Sequence, residues 1–311
     1  YSMKIVFMGT PQYAVVTLDA LIKAGNEVCA VFAQPDKPVG RKRVLTPPPT
    51  KVYAKERSIA VYQPLTLRDG EAQKIIEDIA PDAIVVVAYG KILPKEILSI
   101  PKYGCINGHA SLLPKYRGAS PIQWSIISGE TYTGVSTMYM DEGMDTGDIL
   151  ETAKVKIGDE ETADELFERL SLVSAELMVS TIQKLENGSV VPKKQDENEA
   201  TYAPILKKEM AKLDFTKSAA ALHNEIRGYY SWPCSFFVLD GKRVKVLKAL
   251  VGGKTEAAAA SVVGNDEELV VACGDGTELR ILKVQPEGGK PMTAKQMLCG
   301  KKIPLGTVIK E

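Results

Sequence analysis

Three side chains of complementary chemistry stand in two turn-rich stretches of this chain. The amide of Asn107 and the imidazole of His109 lie within residues 104–121, and the carboxylate of Asp145 lies in the loop 140–148. An amide donor, an imidazole and a carboxylate suit acyl transfer. The amide can stabilise the oxyanion of a tetrahedral intermediate, the imidazole can move a proton, and the carboxylate can orient the ring or stabilise its charge. Asn107 and His109 are two residues apart, so on a strand both side chains point the same way. The chain has only two histidines; the second, His223, falls on an expected helix and reads as a surface or packing residue. Gly143 and Gly147 bracket Asp145, which favours a tight turn carrying the carboxylate inward; a turn-former bonding its own backbone is the alternative. Asp141, Glu142, Asp145 and Asp148 form an acidic set, but the spacing is not that of a calcium loop and no second histidine is near, so no metal is expected. No nucleophile stands out. Ser111 lacks the Gly-x-Ser-x-Gly setting, and Cys105 reads as a strand residue. Direct transfer between two bound substrates is favoured over a covalent acyl-enzyme.

The elements that must position these groups read as an α/β sheet. Residues 4–8 form a buried-type strand, 12–24 a helix with apolar positions 14, 15, 18, 21 and 22 on one face, and 27–32 a second strand. Strand, tight turn, helix, strand is the opening unit of a doubly wound sheet. Its turn is Gly9-Thr10-Pro11 rather than Gly-x-Gly-x-x-Gly, so a dinucleotide site is not supported. Further strands are expected at 59–62, 83–87, 104–107, 133–139 and 149–155, with helices over 69–80 and from Pro121. Thr162 and Glu165 make a capping box that opens a long helix ending at Asn187-Gly188. Ligands in such sheets bind at the carboxyl ends of strands, where 88–94 and 107–121 emerge.

Residues 191–207 are polar and aperiodic and read as a linker. It separates a catalytic domain, 1–190, from a C-terminal domain, 208–311, that begins with a helix over 218–227. Short strands follow, with hairpin signals at Asp240-Gly241 and Gly274-Asp275-Gly276, and Thr293 and Gln296 can cap one more short helix. Short strands with turn signals suggest a small β-barrel, an architecture that often binds nucleic acid when partly open.

The length of 311 residues favours two domains, and 45% apolar with 25% charged residues is ordinary for a soluble globular protein. No apolar run approaches the ~20 residues of a membrane helix, and the short apolar start at residues 3–8 reads as a strand, not a signal peptide. Cysteines 29, 105, 234, 273 and 299 are odd in number without a close pair, as expected of free thiols in a reducing, cytoplasmic setting. From Lys208 onward basic residues outnumber acidic ones 16 to 12, a weak sign of a polyanionic partner. A stronger one is the Pro-stiffened stretch 37–51, with Lys37, Arg41, Lys42, Arg43 and Lys51 and no acidic residue. It is long for a connection and suits a phosphate backbone.

Asn107-x-His109-x-Ser111-Leu112-Leu113-Pro114-x-Tyr116-Arg117-Gly118, followed by Asp141-x-Gly143-x-Asp145-Thr146-Gly147, resembles the 10-formyltetrahydrofolate-dependent formyltransferases. Phe7-Met8-Gly9-Thr10-Pro11, the stretch 34–41, Ile226-Arg227 and Trp232-Pro233 extend the likeness over nearly the whole chain from Met3, most closely to members acting on initiator tRNA. The resemblance implies a doubly wound, Rossmann-like catalytic domain joined to an OB-like β-barrel domain that docks tRNA. It implies 10-formyltetrahydrofolate as formyl donor and the α-amino group of methionine on initiator tRNA as acceptor, in a cytoplasmic monomer. It carries the catalytic roles to Asn107, His109 and Asp145. Folate contacts would fall to Ser111, Leu112, Leu113 and Pro114, and to the loops holding Tyr89, Gly90, Ile92, Leu93, Asp141 and Gly143. Lys37, Arg41, Lys42 and Arg43 would reach the tRNA acceptor end. Glycinamide ribonucleotide and sugar-nucleotide formyltransferases, formyltetrahydrofolate deformylase and a non-catalytic folate- or RNA-binding module are the rival readings. One departure stands out: Gly108 occupies a position that is usually aliphatic. Glycine in a strand costs roughly 0.5–1 kcal/mol relative to alanine, and the expectation is a looser backbone at the two catalytic side chains.

Overall fold

The computed structural model describes residues 2–310. Strand β1 (Lys4–Gly9), helix α1 (Gln12–Lys23) and β2 (Glu27–Phe32) form the opening unit, with Ala14, Val15, Leu18 and Leu21 of α1 buried as their spacing predicts. A hairpin of β3 (Lys37–Val39) and β4 (Val44–Thr46) follows, then α2 (Pro49–Glu56) and β5 (Ala60–Tyr62). The stretch read as one long loop is therefore an ordered hairpin that runs into a helix. Proline at the first helical position explains the start of α2, since that N–H has no helical partner. Next come α3 (Glu71–Ile79), β6 (Ala83–Val87), α4 (Lys95–Leu98) and β7 (Cys105–His109). They are followed by α5 (Pro121–Ile127), β8 (Tyr132–Tyr139), β9 (Ile149–Lys156) and α6 (Ala163–Glu186). The capping box that opens α6 is formed: Thr162 Oγ1 accepts from the Glu165 N–H and the Glu165 carboxylate accepts from the Thr162 N–H.

These strands make one sheet in the order β5-β2-β1-β6-β7-β8-β9. It is parallel through β7 and antiparallel at β8 and β9. Strand order reverses between β1 and β6, where an open α/β sheet leaves a crevice at its carboxyl edge. All five residues of β6 are buried, as a continuous apolar run requires when both faces are covered. On one face Ile5, Phe7, Val85, Val87 and Ile106 pack with α1 and with Met178 and Ile182 of α6. On the other, Met8, Ile84, Val86 and Cys105 pack with Ile76 and Ile97.

The chain divides into two units. The first holds residues up to Pro121, Tyr132–Lys156 and Phe167–Ala203; the second holds Ile122–Thr131, Ile157–Leu166 and the chain from Pro204 onward. The polar stretch after α6 is thus ordered on the first unit up to Ala203. Lys193 bridges to Ile149, and Arg117 bridges to Tyr202.

The second unit contains α7 (Ala219–Gly228), β10 (Phe236–Leu239), β11 (Lys242–Lys254), β12 (Val262–Asn265), β13 (Leu269–Ala272), β14 (Thr277–Pro286), β15 (Met292–Thr293) and α8 (Ala294–Gly300). The strands form an antiparallel half-barrel in the order β10-β11-β14-β13-β12, with β15 on β14. Asp240 and Gly241 turn β10 into β11 with φ of 49° and 75°, the left-handed pair that a tight hairpin of this twist needs. Leu222 and Ile226 of α7 and Met297 and Leu298 of α8 close the core over Val246, Leu269, Val271, Leu279 and Ile281. Thr293 and Gln296 form the expected capping box of α8. Segments 122–131 and 157–166 join this unit through α7. At Gly228 a Cβ would lie 2.4 Å from Ile127, so only glycine permits the approach. Arg227 donates to the carbonyls of Gly158 and Glu161 at 3.2 and 2.9 Å. His223 is buried and pairs with Glu160 at 2.8 Å, a packing histidine with an ionic partner.

Candidate active site

Strand β7 carries two of the three groups. It extends two residues beyond the expected end because β8 continues the ladder, pairing Gly108 with Thr137 and His109 with Ser136. On the other side Val86 of β6 pairs with Asn107. Ile106 enters the core under α1 and α6, so by alternation Asn107 and His109 share the opposite face. Gly108 points back at α6: a Cβ there would lie 3.2 Å from Ser174 Oγ and 3.3 Å from the Met178 terminal methyl. The ladder to β6 reaches Asn107 and that to β8 runs on through Gly108 and His109, while Ser174 and Met178 of α6 fill the space behind Gly108.

His109 is buried, and its Nε2 lies 2.8 Å from the Tyr116 carbonyl. A carbonyl only accepts, so Nε2 carries the proton and the neutral ring is left with its lone pair on Nδ1. That nitrogen lies 3.7 Å from Asp145 Oδ1, beyond a direct hydrogen bond but close enough for the carboxylate to stabilise a protonated ring. Asp145 Oδ2 accepts from the Gly118 N–H at 2.8 Å. The turn-former in this loop is instead Asp141, whose Oδ1 accepts from the Gly143 N–H at 2.9 Å and from Thr146 Oγ1 at 2.6 Å. The alternative reading of Asp145 as a local turn-former thus belongs to Asp141. Three residues with side chains at this edge, Ala88, Tyr116 and Asp145, have φ of 49°, 56° and 58°. Such left-handed backbone persists only where its surroundings enforce it.

Asn107 Oδ1 is buried without a hydrogen-bond partner. Buried polar groups are almost always paired, so this oxygen stands out as an unused acceptor on the His109 face of the strand. Neither candidate nucleophile is available. Ser111 is fully buried and its Oγ donates to the Lys115 carbonyl at 2.6 Å. Burial pushes the Cys105 thiol up to about 12. Leu113 is buried and its N–H is held by Ser136 Oγ at 3.1 Å, while Leu112 packs over Gly134 and Pro114 is half-buried. After β6, Tyr89 and Leu93 sink into the core, leaving Gly90 and Ile92 exposed. The Tyr89 carbonyl accepts from Thr10 Oγ1 at 3.0 Å and Gln34 Nε2 at 3.2 Å, tying the exits of β1, β2 and β6 together. Met144 is exposed on the Asp145 loop. Among the described residues no group of three or more His, Cys, Asp or Glu is placed to hold a metal ion, and no helix is long and apolar enough to cross a membrane.

The residues that sequence reasoning missed are in the polar strap. Gln195 Nε2 donates to the carbonyls of Asp145 and Gly147 at 2.8 and 2.7 Å, and its Oε1 accepts from Arg117. Arg117 was legible as part of the motif, but an isolated glutamine in an aperiodic stretch carries no signal of its own.

Lys37, Arg41, Lys42 and Arg43 stand exposed on the β3–β4 hairpin. Lys51 does not join them: its Nζ lies 3.0 Å from Asp36 Oδ1. Asp36 also accepts from Gln63 at 2.6 Å, and these two bonds, Gln63 first, hold its carboxyl below the usual range. The same hairpin exposes Val39, Val44 and Leu45, each to more than half of its surface.

The chain as a whole has counterparts among known proteins. Residues 3–182 match the family model described as formyl transferase, and residues 205–302 match that of the formyl transferase C-terminal domain. The chain is 48% identical to a methionyl-tRNA formyltransferase of Thermodesulfovibrio yellowstonii, over 97% of each chain. It is 45% identical to one of Caldanaerobacter subterraneus subsp. tengcongensis, over 99% of this chain and all of the other. Among solved structures, an N-formyltransferase of Helicobacter canadensis, in complex with folinic acid and dTDP-3-aminofucose, shares the fold. Its TM-score is 0.69 at 22% identity, covering 90% of this chain and 98% of the other. HypX of Aquifex aeolicus, in complex with tetrahydrofolic acid, gives a TM-score of 0.65 at 15% identity, over 99% of this chain and 51% of the other. With both family models met in order and relatives alike from end to end, the chain belongs to the formyltransferases, in the methionyl-tRNA formyltransferase family.

Proposed function

We propose that this protein transfers the formyl group of 10-formyltetrahydrofolate to the α-amino group of methionine on initiator tRNA. The observation that carries the chemistry is the His109–Asp145 pair, 3.7 Å apart, with Asn107 on the same face of β7 as His109. An aminoacyl α-amine titrates near neutrality, at about 7.7–8.0 for an ordinary α-amino group, so a neutral fraction attacks the formyl carbon directly. The Asn107 amide donates to the oxygen that becomes negative, and donors fixed in a low-dielectric site are the strongest stabilisers of such charge. His109 takes the ammonium proton of the adduct at Nδ1, while the Tyr116 carbonyl keeps Nε2 protonated. Asp145 stabilises the imidazolium. Delivering that proton to the folate nitrogen lets the C–N bond to the formyl carbon break, leaving the new amide and tetrahydrofolate. The buried, hydrogen-bonded Ser111 and the raised thiol of Cys105 support direct transfer over a covalent intermediate.

The hairpin supports the acceptor. Lys37, Arg41, Lys42 and Arg43 offer cations to phosphates, and the exposed Val39, Val44 and Leu45 offer apolar surface to unstacked bases at a tRNA end. Near-complete alignment with the methionyl-tRNA formyltransferases supports the same acceptor. A formylation assay offering charged initiator tRNA, glycinamide ribonucleotide, a sugar-nucleotide amine and free methionine tests this. Preference for the charged tRNA is expected, and equal use of free methionine would refute it.

A further inference from the structure

Asp141 ties the loop internally to Gly143 and Thr146, and the Asp145 end of it is held from outside as well. Asp145 is left-handed at φ 58°, a region that residues with a Cβ seldom adopt, though Asp does so more often than most. Gly147 is pressed so close to the Tyr139 carbonyl that a Cβ would sit 1.6 Å from it. Both ends of this turn are gripped by one side chain: the single Nε2 of Gln195 donates to the carbonyls of Asp145 and Gly147. The other end of the same amide is gripped in turn. Oε1 accepts from Arg117 Nε at 3.2 Å and Nη2 at 2.9 Å. Arg117 is only 1% exposed, and its outer edge is closed by both oxygens of Glu197, at 2.8 and 2.9 Å. Its backbone is threaded between Thr201 and Ala203, with N–H to carbonyl distances of 2.9 and 2.7 Å.

Arg117 and Gly118 are neighbours, and together they fix Asp145 from two directions. The Gly118 N–H holds the carboxylate directly, and Arg117 holds the backbone beneath it through Gln195. A primary amide suits this bridging place because it offers an acceptor to the guanidinium and two donors to two carbonyls at once. Glutamate would turn an oxygen toward both carbonyls, and methionine would offer no donor.

We propose that Gln195, held by Arg117, is a positioning residue that keeps the Asp145 carboxylate opposite His109 Nδ1. The inference rests on the reading of His109 and Asp145 as the catalytic pair, and it assigns the work of alignment to a strap whose sequence looks like connecting chain. A small misplacement of a catalytic group is expensive in rate even when binding is unaffected.

The test uses the full chain with 10-formyltetrahydrofolate and methionyl initiator tRNA. Gln195→Met keeps the shape and removes both donors; Gln195→Glu keeps the acceptor for Arg117 and reverses the polarity at the turn. In each, kcat should fall on the order of 10–100-fold while KM for either substrate stays within about 3-fold. In an Asp145→Asn background, adding Gln195→Met should cost less than about 3-fold, because the two act through one carboxylate. Thermal melting accompanies each measurement. A role confined to stability would lower the melting temperature and leave kcat of the folded enzyme intact. Unchanged kcat in both variants, or an undiminished loss in the Asp145→Asn background, overturns this inference alone. A wild-type chain that forms no formylmethionyl-tRNA overturns the proposed function as well.

Discussion

A neutral α-amine needs little help to act as a nucleophile, so in the proposed reaction the demand on Asn107, His109 and Asp145 falls on one oxyanion and one proton. Asn107→Ala should cost on the order of 10²–10³ in kcat, the usual loss for one oxyanion donor. Alanine at His109 or Asp145 should lower kcat far more than it weakens tRNA binding. The combined loss should be smaller than the product of the three, since the groups act as a unit; strictly multiplicative losses under saturating substrates would contradict this. Gly108 gives a separate prediction about packing. Gly108→Val forces side-chain atoms against Ser174 and Met178 and should destabilise the protein by about 1–3 kcal/mol, as overpacked cores do. Met178→Ala in the same chain should recover part of that, which a double-mutant cycle in denaturant unfolding measures. Of these residues, Asn107, His109 and Asp145 stood out as candidates from type, spacing and turn context. Gln195 was not, because it meets Asp145 and Arg117 only across 50 and 78 positions of chain, and local periodicity carries no trace of so distant a meeting.

Long, strongly patterned elements were legible for the same physical reason that they are stable. The all-apolar β6, the amphipathic α1 and α6 and the capped ends at Thr162 and Thr293 all match their expected places. The β3–β4 hairpin was not. Each strand has three residues, one of them Pro38, and both are exposed on every side chain, so neither has the alternation that burial imposes. Exposure is also what makes the hairpin a candidate surface for RNA. Replacing Arg41, Lys42 and Arg43 by alanine should raise KM for tRNA and leave folate KM nearly unchanged. The slope of log affinity against log salt should flatten by roughly 0.7–0.9 for each phosphate that is no longer neutralised. Lys51→Ala is the informative partner: its charge is already neutralised by Asp36, so the salt slope should stay as in the wild type. A slope unchanged by the triple substitution would contradict the role given to the hairpin.

Over the molecule as a whole, stability and activity should separate by unit. Burial holds the Glu225 carboxyl of the second unit above its ordinary 4.5, against the opposing pull of Lys217. A carboxyl whose pKa is raised by folding contributes stability that is full below its unfolded pKa and is lost as pH rises through the folded one. Glu225→Gln should therefore melt near the wild type at pH 4 and gain on it at pH 7.5. A constant gap would show that the attraction of Lys217 cancels burial, and a reversed one that it outweighs it. His223→Ala removes the pairing with Glu160. It should lower stability by about 1 kcal/mol, since the glutamate is largely exposed, and leave kcat unchanged.

The choice of acceptor is decided by competition. With 10-formyltetrahydrofolate saturating, kcat/KM is measured for methionyl initiator tRNA, glycinamide ribonucleotide, a sugar-nucleotide amine and free methionine. The charged tRNA should be preferred by about 10³-fold or more, because in the proposed function only it engages the hairpin and so converts remote binding into rate at the His109–Asp145 pair. Comparable kcat/KM for any of the small amines would contradict it.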